Sequence, residues 1–167
     1  MSHPVCLRII VCGDADRGDN AAPLIAIAHL LPTLPRQVLD QVEIRRREQL
    51  DIADLLDLGD GEACVLVDTA AGPEPGEIVT VGLTDLAARG RGMAPRSLHV
   101  LTIGEALASV VATRGTVPVG SFVGIGGRSY GFGVPLSIPV RTAMADFASA
   151  IGTEISRLLA VRVAEAS

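Results

Sequence analysis

Short, continuously apolar runs alternate along this chain with stretches whose apolar positions recur every three or four residues. The first kind reads as buried strand and the second as amphipathic helix. Val5 to Cys12 forms the first strand-like run, followed by a polar loop from Gly13 to Asn20. Ala22 to Leu31 predicts a helix with Leu24, Ile27, Ala28 and Leu31 on one face, ended by Pro32 and Pro35. Val42 to Gln49 predicts a second strand, and Asp51 to Leu58 a short helix with Asp51 as its N-cap. Ala63 to Val67 is a third strand ending at Asp68, and Glu77 to Val81 a fourth. Residues 85–97 are rich in Gly, Ala and Arg without periodicity, which predicts a mobile surface loop. Thr102 and Glu105 have the spacing of a capping box, so a helix is expected from there to about Thr113. Gly120 to Ile125 is the fifth strand, and a glycine-rich irregular loop follows to Pro135. Ser137 is placed as the cap of a last helix with Pro139 in its first turn. Val140, Met144, Phe147, Ile151, Ile155 and Leu158 mark the buried stripe of that helix.

Strand and helix in alternation with short connections imply an α/β fold. The expected architecture has three layers, α/β/α, around a five-stranded, mostly parallel sheet. No composition break divides the 167 residues, so one domain over 1–167 is expected.

Composition narrows the class. Hydrophobic residues make up 49% of the chain but aromatic residues only 2%, so the core must be aliphatic, as in a sheet buried on both faces. The net charge of -5 gives no broad basic footprint for nucleic acid. Arg45, Arg46 and Arg47 form the basic cluster, read as a charged edge strand that resists edge-to-edge pairing. Cys6, Cys12 and Cys64 are odd in number and widely spaced, which argues against a disulfide framework or zinc site and fits a reducing cytoplasm. The N-terminus lacks the pattern of a signal peptide. Mean hydropathy is +0.43, yet no apolar run reaches membrane-spanning length.

In open α/β sheets ligands bind beyond the carboxyl ends of the strands. Those ends carry Asp14, Asp16, Asp19 and Asn20 after the first strand and Asp68 at the third, and His99 precedes the capped helix. Carboxylates and an imidazole on one rim suit either a transition metal or general acid–base work. Each residue also has a plainer reading. Asp68 can close a turn with Thr69 to Gly72, His99 can be a surface histidine, and Asp14, Asp16 and Asp19 can be solvated loop residues. His3 and His29 are read as structural or solvated. Dinucleotide and P-loop motifs are absent, and the chain has no lysine for a Schiff base.

Several short segments, taken in order, resemble the hydrogenase maturation proteases. Gly13-Asp14-Ala15-Asp16-Arg17-Gly18-Asp19-Asn20 resembles that family's opening motif, G-N-x-L-x-x-D-D/E-G. Val65 to Ala70 is similar to its apolar strand ending in Asp-Ala, and Pro75-Gly76-Glu77 to the turn that follows. Ser97-Leu98-His99 resembles its S-x-H segment, Gly124-Ile125-Gly126 its last strand, and Leu136-Ser137 the approach to the final helix.

The resemblance implies a twisted five-stranded α/β/α fold and an endopeptidase. Such an enzyme removes the C-terminal extension of a nickel-loaded, nickel-iron hydrogenase large-subunit precursor. The precursor is then the expected partner, and nickel, carried by it, the expected metal. Neither nucleic acid nor a membrane is expected as a partner. Asp68 and His99 fall on two of the family's nickel-binding positions. The third, acidic in the family, falls on Asn20, with Asp19 next to it and Asp16 nearby as substitute carboxylates. The resemblance thus implies Asp19, Asp68 and His99 as catalytic and Asp19, Asn20, Asp68 and His99 as metal-binding. Two alternatives stay open: a catalytically impaired relative that binds or assembles a metalloprotein precursor, and an unrelated small-molecule-binding α/β domain.

Overall fold

The computed structural model describes residues 4–89 and 98–167, with the backbone alone for residues 98–102 and 166. Five strands form one sheet: β1 (Leu7–Cys12), β2 (Val42–Arg47), β3 (Ala63–Ala70), β4 (Ile78–Gly82) and β5 (Gly120–Gly126). Their order across the sheet is β2-β1-β3-β5-β4. All neighbours pair parallel except β4, which runs antiparallel to β5. The helices are α1 (Ala22–Leu30), α2 (Arg36–Leu39), α3 (Ile52–Leu56), α4 (Leu83–Arg89), α5 (Leu98–Arg114) and α6 (Ile138–Ala166).

Alternation along each central strand divides the core in two. Leu7, Ile9, Val11, Val65 and Val67 face α1 and α6, where Ile27, Phe147, Ile151 and Ile155 cover them. Ile10, Cys64, Leu66 and Phe122 face the other way, against Leu55, Leu86, Leu107 and Val110 of α3, α4 and α5. β1 and β3 are therefore buried on both faces, which is why they read as mostly apolar runs, with Arg8 the one charge in β1. The three layers match the sequence expectation.

β2 is an edge strand, as its arginines suggested, and its charges are organised. Asp54 of α3, almost fully buried, receives Arg45 Nη1 at 2.7 Å and Arg47 Nε at 2.7 Å. Buried Arg8 reaches Glu43 at 3.1 Å and is also paired with Asp57.

Four local expectations need correction. Residues 85–89 of the expected loop belong to α4: Leu83, Leu86 and Ala87 are buried on one side of it, a short period hidden by the Gly/Arg-rich segment after it. Residues 90–97, the rest of the expected mobile loop, lie outside the described residues. α5 begins at Leu98, four residues before Thr102, so the apparent capping box lies inside the helix. In α1 the buried residues are Ala22, Pro23, Ala26, Ile27 and Leu30, while Ala28 is exposed. Ser137 does occupy the N-cap position of α6, but its side chain makes no capping bond. By contrast, Asp51 caps α3 as expected, accepting from Ala53 N at 2.9 Å.

Candidate active site

From β1 the chain order moves one way to β2 and the other way to β3, so the connections leaving β1 and β3 diverge. A crevice opens at such a switch point, beyond the strands' carboxyl ends. Here it holds a cavity of about 380 Å³ lined by Gly13, Asp14, Arg17, Asn20, Glu48, Gln49 and Asp68.

The loop after β1 is folded back on itself. Asp14 N donates to Asn20 O at 3.1 Å, and a Cβ on Gly13 would lie 2.4 Å from that carbonyl, so only glycine permits the closure. Asp14 Oδ1 accepts from Asp16 N at 2.9 Å, and its other oxygen faces Arg17 Nε at 3.4 Å. The closure brings Asn20 to β3, where its Oδ1 accepts from Thr69 Oγ1 at 3.1 Å. Asp68 Oδ1 accepts from Thr69 N at 2.7 Å. Thr69 thus ties both cavity-lining groups. Burial pushes the Asp68 carboxyl up to about 7, against the opposing bonds from Thr69, so it exchanges its proton near neutrality.

Asp19 has a different setting. It is fully buried and is not among the residues lining the cavity. Its Oδ2 accepts from Arg128 N at 2.8 Å, Ser129 N at 3.0 Å and Ser137 Oγ at 2.8 Å, and its Oδ1 from Ser137 N at 2.8 Å. Burial alone would raise this carboxyl, but the four donors outweigh it and hold it below the usual aspartate value. The same loops meet through backbone bonds, Asp19 N to Ser129 O and Gly133 N to Asp16 O, both at 2.7 Å. Gly18, with φ +51°, is where they touch: a Cβ there would sit 2.4 Å from Ser129 O.

Of the residues expected at the site, Asn20 and Asp68 share the cavity and Asp19 anchors the loop behind it. His99 lies in the first turn of α5, and its side chain is outside the described residues. Asp16 is exposed, His29 is exposed on α1, and His3 is outside the described residues. Arg17, Glu48 and Gln49 were not singled out from the sequence. Glu48 and Gln49 directly follow β2, so the carboxyl-end rule applied to that strand finds them. Cys12 ends β1, but burial, with Asp68 and Asp54 adding to it, pushes its thiol up to about 12 and leaves it un-ionised at neutral pH. Among the described residues no three His, Cys, Asp or Glu side chains cluster as a metal site.

No family model matches the sequence, and no curated protein matches it. Solved structures do. The chain is similar to the NiFe hydrogenase maturation protease HybD from Thermococcus kodakarensis, with 18% identity and a TM-score of 0.61, over 88% of this chain and 97% of that one. The fold is that of the hydrogenase maturation proteases. It is likewise similar to the hydrogenase maturating endopeptidase HybD from Escherichia coli, with 19% identity and a TM-score of 0.62, over 87% and 88% of the two chains. The NiFe hydrogenase maturation protease HycI from Thermococcus kodakarensis follows at 15% identity and a TM-score of 0.58, over 90% and 92%. The hydrogenase maturation protease fold therefore spans nearly the whole chain, in agreement with the architecture that the ordered short motifs implied.

Proposed function

We propose that this protein is a maturation endopeptidase that removes the C-terminal extension of a nickel-loaded, nickel-iron hydrogenase large-subunit precursor. One observation carries the reading: within this fold, Asn20 and Asp68 line a single cavity at the switch point of the sheet, tied there by Thr69. The nickel belongs to the substrate. Asp68 supplies a carboxylate oxygen and Asn20 an amide oxygen toward it, with His99 as the imidazole donor. Two oxygens and a nitrogen are too few to hold nickel tightly by themselves, which suits a metal that arrives with ligands of its own. Bound nickel would supply Lewis acidity to the peptide bond being cut.

The chain's own groups do the remaining work. Burial raises the Asp68 carboxyl to about 7, so its proton competes with the nickel for that oxygen. Asn20, whose Oδ1 is engaged by Thr69, keeps its amide N–H groups for a substrate carbonyl. Asp19 holds the loop that backs the cavity. A cytoplasmic setting belongs to this reading; no helix among the described residues is long and apolar enough to cross a membrane.

A second reading is favoured by Asn20 itself. A neutral amide where a carboxylate would bind nickel more strongly fits a relative that holds a metalloprotein precursor without cutting it. Incubating the purified protein with a nickel-loaded precursor and weighing the product by mass spectrometry separates the two. Loss of the C-terminal extension supports the endopeptidase. A stable complex with an intact precursor supports the assembly protein, and the absence of both cleavage and complex refutes both readings.

A further inference from the structure

The chain contains only four aromatic residues, three Phe and one Tyr. Phe122 and Phe147 fill the two halves of the core. The other two lie on the loop between β5 and α6 and are held out toward solvent, Tyr130 at 37% and Phe132 at 75% exposure. Val134 and Ile138, within the next six residues, are also exposed, at 42% and 69%. The remaining large exposed apolar side chains of the described residues are scattered elsewhere.

This concentration is not a slack loop. Asp19 grips it at Arg128, Ser129 and Ser137, and Gly133 N donates to Asp16 O. The apolar side chains are displayed from a fixed backbone, which lowers the ordering cost of binding another chain. An exposed aromatic on a rigid support has the chemistry of an interface anchor. The loop is continuous with the candidate site, because the backbone gripping it, Asp16 to Asn20, also forms the cavity wall. A Cβ on Gly18 would lie 3.5 Å from Tyr130 Cα, so Tyr130 sits against the loop that backs the cavity.

Resting on the endopeptidase reading, we propose that the segment from Tyr130 to Ile138 docks an extended, apolar stretch of the protein substrate and leads it into the Asn20–Asp68 cavity. A second copy of this chain is a poor occupant. Four side chains fall far short of the roughly 20–30 residues a side that a stable interface uses. An extended segment needs only a short row of anchors.

The test measures the affinity of an immobilised nickel-loaded, nickel-iron hydrogenase precursor for the wild type, the double variant F132S/I138S and V163S. Val163 is as exposed as Ile138 but lies about 37 Å along α6 from it at 1.5 Å per residue. Circular dichroism and thermal melting confirm that all three are folded. The expected result is roughly tenfold or greater weakening for F132S/I138S, with V163S unchanged. In cleavage assays the loss falls on KM rather than on kcat. Equal affinity of wild type and F132S/I138S overturns the docking surface while leaving the endopeptidase reading intact. So does equal weakening by V163S, or a loss confined to kcat. A wild type that neither binds nor cleaves the precursor overturns the endopeptidase reading and the docking surface together.

Discussion

Asp19 and Ser137, 118 residues apart in the chain, are joined by two hydrogen bonds of 2.8 Å, one from the Ser137 backbone N–H and one from its hydroxyl. The pair fastens the loop after β1 to the start of α6. It also explains why Ser137 does not cap its own helix.

Asp19→Asn removes the charge and turns an amide N–H toward backbone donors. It should destabilise the protein by about 3 kcal/mol, against about 1 kcal/mol for Ser137→Ala. Urea unfolding at pH 7 checks both. The wild-type carboxyl is held below its unfolded value. Its contribution is therefore present above about pH 4 and is lost as pH falls through the folded value, a loss that Asp19→Asn does not show.

Asp68 has the opposite sign. Its carboxyl is raised to about 7 in the folded protein, from a usual value of 3.8. Below pH 4 both states are protonated there and nothing is lost. As pH rises from 4 to 7 the unfolded state ionises first and stability falls. Asp68→Asn should therefore match the wild type near pH 4 and exceed it by on the order of 2 kcal/mol at pH 8. Melting curves across that range test it, and an advantage independent of pH contradicts the assignment.

Asn20→Glu should strengthen binding of nickel or cadmium by roughly tenfold or more, because a carboxylate replaces an amide beside Asp68. Calorimetric titration of the wild type, Asn20→Glu and an Asp68→Ala, His99→Ala double variant measures it. If precursor cleavage is slow in the wild type and rises in Asn20→Glu, position 20 limits the activity.

Asp54→Ala leaves the Arg45 and Arg47 guanidiniums without the buried carboxylate they share. Because the arginines left behind are partly exposed and Arg45 keeps Glu43 and Asp57, the cost should be about 1 kcal/mol. The edge strand β2, with Glu48 and Gln49 at its end, should loosen with it. Hydrogen exchange at residues 42–47 reports that directly.

The sheet was readable because β1 and β3, Leu7–Cys12 and Ala63–Val67, are apolar but for Arg8 and bounded by polar turns. α6 was readable because its stripe holds the helical period from Val140 to Leu158. α4 was not, since seven residues give too short a period to stand out from the Gly and Arg that follow. Asn20 and Asp68 came from the resemblance and from the rule for strand ends. Asp19 came from the same two sources as a catalytic and metal-binding residue, but its anchoring role escaped a local reading. A carboxylate in a polar loop looks solvated, and the donors that bury it lie more than a hundred residues away.

Tyr130 gives the molecule an optical property of its own. With one tyrosine and no tryptophan in the chain, absorbance near 280 nm and intrinsic emission arise from a single phenol. Tyr130 sits against Gly18, on the loop that backs the Asn20–Asp68 cavity. The unlabelled protein therefore carries a one-residue fluorophore at its candidate site, and ions that quench or shift it there can be followed without a dye.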